Sequence, residues 1–130
     1  LKAIQALYGE VLRNMRPGDT YEVIENLSKW YSLDKEYSEN FIEKRALKSV
    51  KARFLFQDSP EARHHMKYAK NFNVEDKILP PGVNLDTSLI VTPRELIIHE
   101  LGEPSKAILI RNKSAIAMAH EIFKLIWGLV

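Results

Sequence analysis

The sequence predicts an α/β fold, a three-layer sandwich with helices on both faces of a mixed sheet, and three observations carry that expectation. Amphipathic helical segments alternate with short β-branched and aromatic runs along the 130 residues. Residues 87–92 and 95–101 are apolar runs separated by Pro93-Arg94, and proline at the second position of a tight turn pre-sets the φ that a hairpin needs. Residues 107–110 (Ala-Ile-Leu-Ile) are apolar at both parities, the mark of a strand covered on both faces.

In chain order, residues 1–15 place Ile4, Leu7, Tyr8, Val11, Leu12 and Met15 at helical spacings, and Arg16-Pro17-Gly18-Asp19 ends that helix. Residues 21–25 have strand composition, with Tyr21 and Val23 inward. Residues 26–37 show no clean period and read as an irregular loop or a short helix. Ser38 is placed to cap a helix running through residue 49, with Phe41, Ile42, Ala46 and Leu47 inside. Residues 52–57 form the second strand, with Phe54 and Phe56 on one side. Asp58-Ser59-Pro60-Glu61 starts the next helix, since proline at the first helical position gives up an N–H that had no partner; the helix is expected to reach about residue 70. A short strand over 74–79 precedes Pro80-Pro81-Gly82, which forbids regular pairing before the hairpin. Gly102-Glu103-Pro104-Ser105 breaks the ladder. Asn112 caps a last helix whose apolar stripe is wider than one sheet face requires.

Length bounds the organisation to a single domain over 1–130, without repeats or low-complexity segments. The 19 Lys+Arg against 17 Asp+Glu leave a formal charge of only +2, which argues against this segment as a main nucleic-acid contact. With no cysteine there is no disulfide, thiolate metal site or cysteine nucleophile, which fits a reducing cytoplasm. No apolar run reaches the roughly 20 residues of a membrane span, so the expectation is a cytoplasmic protein without membrane contact. The chain begins with Leu inside a helical pattern, and the expectation is a fragment of a longer polypeptide.

Polar residues on predicted strands are the candidates for a site. Asp86 and Ser88 share a strand parity and stand where a buried strand would carry valine or isoleucine, so they are expected to line a polar cleft, with His99 and Glu100 of the facing strand as further candidates. Alternation sends His99 and Glu100 to opposite faces, so they do not form one catalytic pair. His64 and His65 are neighbours about 100° apart on a helix and cannot bind one ion together, so a solvated basic helix is the better reading and no metal site is expected. Lys44, Arg45 and Lys48 make a basic stripe, read first as a solvated face. His120, beside Glu121, reads as a surface residue. Phe54, Phe123 and Trp127 are spaced as core. No glycine-rich phosphate loop, nucleophile elbow, acid–base carboxylate pair or cofactor motif occurs, so no cofactor and no catalytic residue is assigned.

Together, the opening helix with Arg16-Pro17-Gly18-Asp19, Phe41-Ile42-Glu43-Lys44-Arg45 leading to Arg53-Phe54-Leu55-Phe56, the hairpin, the Glu103-Pro104 break and the closing helix with Phe123 and Trp127 resemble the C-terminal domain of archaeal TrmB-type transcriptional regulators. The resemblance spans nearly the whole chain and rests on the order of many weak signals. It implies a phospholipase-D-like fold, and DNA binding through an N-terminal winged helix-turn-helix absent from this chain. It also implies a homodimer, for which the last helix offers Ile116, Ala119, Phe123 and Trp127, and a possible small-molecule effector. Phospholipase-D-like enzymes carry His-x-Lys-x4-Asp on a strand comparable to 85–91, where this chain has Asp86-Thr87-Ser88. Its only His-x-Lys, His65-Met66-Lys67, is on a predicted helix with Phe72 at the aspartate position. The resemblance therefore implies a fold without its covalent chemistry. The rival expectation is a phosphodiesterase or nuclease on the same scaffold, using His99 or His65.

Overall fold

The computed structural model describes residues 2–130. The elements are α1 (Lys2–Asn14), β1 (Thr20–Glu25), α2 (Leu27–Leu33), α3 (Lys35–Leu47), β2 (Lys51–Phe56), α4 (Pro60–Lys67), a 3₁₀ turn (Ala69–Phe72), β3 (Val74–Ile78), β4 (Thr87–Val91), β5 (Leu96–Glu100), β6 (Lys106–Ile110) and α5 (Lys113–Leu129). The six strands form one mixed sheet in the order β3-β2-β1-β4-β5-β6. β1, β2 and β3 run parallel, while β1–β4, β4–β5 and β5–β6 are antiparallel.

Strand alternation divides the core into two layers. Tyr21, Val23, Phe54, Phe56, Ile90 and Ile97 pack beneath Ile4, Tyr8 and Val11 of α1, Trp30 of α2 and Phe41 and Ile42 of α3. The opposite parity, Ile24, Leu55, Leu89, Val91 and Leu96, meets α5 through Ala119, Phe123 and Trp127. Helices therefore flank both sides of the sheet, as the alternation of elements predicts.

Local chemistry sets the helix starts. Ser59 accepts from the Ala62 amide with Pro60 at the first turn, and Asn112 accepts from Ala115. The expectations for residues 26–49 need correction. That span folds as two helices, with Asn26 capping α2 through Lys29 N and Asp34 capping α3 through Tyr37 N. Ser38 lies buried inside α3 and caps nothing. α4 stops at Lys67, and the 3₁₀ turn ends at Asn73 in the left-handed region with φ of 58°, which asparagine tolerates. β6 also departs from expectation: it is the sheet edge and Ile108 is exposed, so apolar residues at both parities do not mark a doubly covered strand here.

Candidate functional site

Two polar constellations lie on the α1–α4 face of the sheet. The first is a row across three strands. The registers Glu25–Ser88 (one step beyond Ile24↔Leu89) and Ser88↔His99 place these side chains next to one another beneath α1, all buried. Ser88 Oγ donates to Glu25 Oε1 at 3.0 Å, and burial pushes the Glu25 carboxyl up to about 7 against the favourable hydrogen bond.

His99 has both ring nitrogens engaged, Nδ1 with Tyr8 Oη at 2.8 Å and Nε2 with Ser105 Oγ at 3.1 Å. Ser105 spends its one hydroxyl proton on the Glu100 carbonyl at 3.1 Å, so its oxygen accepts from His99 Nε2–H. Nδ1 then accepts from the Tyr8 hydroxyl. The ring is neutral, in keeping with burial that pulls its pKa down to about 4. Burial likewise holds the Tyr8 phenol well above its ordinary range. Every hydrogen bond of this relay is used internally, and the space beside it, bounded by Tyr8, Trp30 and His99, has about 20 Å³ of free volume, too little for any ligand.

The four sequence candidates do not line one cleft. Ser88 and His99 come together in the sealed row. Asp86 stands outside it, exposed and paired with Lys29, and Glu100 is exposed at the end of β5.

The second constellation borders a cavity of about 540 Å³ between α2, α3, α4 and the 3₁₀ turn, walled by Tyr31, Ile42, His65, Tyr68 and Phe72. That is the size of an ordinary small-molecule site. His65 is buried edge-on against Phe54 and Phe56, with ring centroids 5.6 and 5.4 Å away, and its Nδ1 lies 2.8 Å from Asp76 Oδ2. An ionised carboxylate only accepts, so Nδ1 carries a proton. Nε2 has no partner, nor does Asp76 Oδ1. His64 is exposed beside Tyr68 and also lines the cavity, so the adjacent histidines are one outer and one inner residue rather than a solvated pair. Among the described residues no group of three or more His, Cys, Asp or Glu side chains is placed to hold a metal.

The basic stripe of α3 also splits. Arg45 is fully buried, its Nη1 donating to Val50 O at 2.9 Å, and Lys48 Nζ donates to the Leu12 and Arg13 carbonyls at the end of α1. His120 meets buried Glu22 across the α5 face at 2.5 Å. The residues offered for dimerisation, Ile116, Ala119, Phe123 and Trp127, pack on the sheet instead, and Lys77 Nζ sits 4.7 Å above the Trp127 ring. α5 exposes a different stripe: Met118, Ile122, Leu125 and Leu129 are 63, 44, 69 and 84% accessible.

No protein-family model matches the chain, and no curated protein does. The crystal structure of a polyphosphate kinase from Porphyromonas gingivalis is similar over 96% of this chain, with a TM-score of 0.64 and 9% sequence identity. The match occupies 24% of that protein's chain, so the present chain spans about a quarter of its length. At this identity the likeness shows the α/β fold alone. No helix among the described residues is long and apolar enough to cross a membrane.

Proposed function

We infer that the chain is a self-associating regulatory domain of a TrmB-type DNA-binding transcriptional regulator, with a phospholipase-D-like fold and no phosphodiester chemistry of its own. DNA contact belongs to a separate winged helix-turn-helix. The observation that carries this reading is the second apolar stripe on α5. Its residues recur at intervals of four, three and four, the a/d spacing by which two helices pack, and they stand beside the face already buried on the sheet. A copy of the same helix is a fitting cover, since a two-fold interface reuses one patch on both partners. The sequence resemblance supports the family, and the fully committed nitrogens of His99 support the absence of a nucleophile there. Light scattering after size exclusion tests the reading: the expected mass is twice the 15.0 kDa chain, falling to one chain in Leu125→Glu with an unchanged circular dichroism spectrum. A wild-type domain that stays monomeric at high concentration overturns it.

One observation favours a second reading, a phosphodiesterase or nuclease on the same scaffold. His65 lines a ligand-sized cavity, and the structural neighbour is named a polyphosphate kinase. Turnover of bis(p-nitrophenyl) phosphate, abolished in His65→Gln, would establish it; no turnover above buffer removes it.

A further inference from the structure

The cavity under α2–α4 has apolar walls and a polar lining, and together they define a ligand class. The walls are aromatic and aliphatic: Tyr31, Ile42, Tyr68 and Phe72. The polar lining is Glu39, Glu43 and Glu61 with Lys35, whose ammonium lies 3.9 Å from Glu39, together with His64 and Asn71. Among the described residues Glu43 and Glu61 make no ion pair with any cation. Deeper in the wall lies buried His65, its ring held from behind by Asp76. The nearest buried cation, Arg45, is not part of the wall and donates to Val50 O.

With three carboxylates to one lysine, such a site disfavours phosphates and sugar phosphates. It attracts a positive charge carried on an apolar body: carboxylates and aromatic faces both favour an ammonium. We propose that this cavity is the effector site and that its ligand is a small organic amine, protonated at neutral pH, with an aromatic or branched apolar body. The link to regulation rests on the function inferred above; the binding does not. A bound amine would order α2, α4 and the 3₁₀ turn around one molecule, on the face of the sheet opposite α5. It would bias self-association only to the extent that it binds the two states of the protein unequally.

The test is titration of the full chain, followed by amide NMR and thermal shift, with four probes: phenethylamine, its neutral analogue 2-phenylethanol, glucose and pyrophosphate. Phenethylamine is expected to give saturable shifts at Tyr31, His65 and Phe72 and a rising melting temperature. 2-Phenylethanol is expected to bind about tenfold more weakly, as is phenethylamine to the Glu43→Gln/Glu61→Gln double variant, whose changes are in the polar lining. Glucose and pyrophosphate should leave these residues unmoved. Saturation of the same signals by pyrophosphate or glucose, equal binding of the alcohol and the amine, or no saturable response to millimolar phenethylamine would overturn the assignment. The Leu125→Glu variant keeps the two conclusions separable. Amine binding to a protein that never dimerises refutes the regulatory reading alone, whereas a dimer indifferent to amines refutes only the ligand assignment.

Discussion

His65 and His99 lie on the same face of one sheet, each against aromatic rings and each bonded through Nδ1, yet they are held in opposite tautomers. His99 accepts at Nδ1 and donates at Nε2, in a relay from Tyr8 to the Glu100 carbonyl that leaves nothing over. His65 donates at Nδ1 to Asp76 and keeps a buried Nε2 without a partner, in a side chain that lines the cavity. The difference lies in the partner, not in depth of burial: a hydroxyl can give a proton to the ring, whereas a carboxylate can only take one. One histidine has both ring nitrogens engaged, and the other leaves one buried nitrogen unmatched.

The largest effect that would break this contrast is in the pH dependence of stability. Glu25, raised from 4.5 to about 7, binds its proton more readily folded than unfolded, so its stabilisation is full below pH 4.5 and is lost as pH rises through 7. His99, lowered from 6.5 to about 4, does the reverse, and its contribution is lost as pH falls from 6.5 through 4. The two slopes largely cancel in the wild type. Urea unfolding should show Glu25→Gln gaining on wild type by about 3 kcal/mol as pH rises from 4.5 to 7, the shift of 7 less 4.5 taken at 1.36 kcal/mol per unit. His99→Gln should lose ground to wild type as pH rises from 4 to 6.5. Parallel curves for both variants would mean that folding shifts the pKa of neither group.

A smaller change sharpens the comparison. Tyr8→Phe keeps the ring packing but leaves His99 Nδ1 buried without a donor, at a cost of about 1–3 kcal/mol in the same unfolding measurement. Phenethylamine binding at the His65 cavity should be unaffected. A Tyr8→Phe protein as stable as wild type would show that the relay is not closed.

Legibility in the sequence tracks how local each cause is. Ser59-Pro60 and Asn112 are recognisable because a cap acts within one turn, and the hairpin because Pro93 acts within its own turn. The α2–α3 junction is hidden because the inner side of α3 carries Ser38 and Arg45 among Phe41 and Ile42, which erases the apolar period. The parity of Ser88 and His99 is readable, but not that Glu25 joins them, since that pairing joins strands distant in sequence. A wide stripe on α5 is visible as excess; which part meets the sheet is decided by the twist and width of that sheet. His65 is legible only once β3 supplies Asp76.

The position of β1 has a consequence for how the molecule assembles. It is the seam between a parallel half, β3-β2-β1, and an antiparallel meander, β4-β5-β6, which closes on short loops with α5 following directly. Ile24 must wait for Leu89 before the seam exists, so the meander can order on nearby contacts while the join carries the largest loop-closure cost. The Ser88–Glu25 hydrogen bond crosses that join, as does His120 on Glu22. The polar row therefore also ties the two halves together across their join.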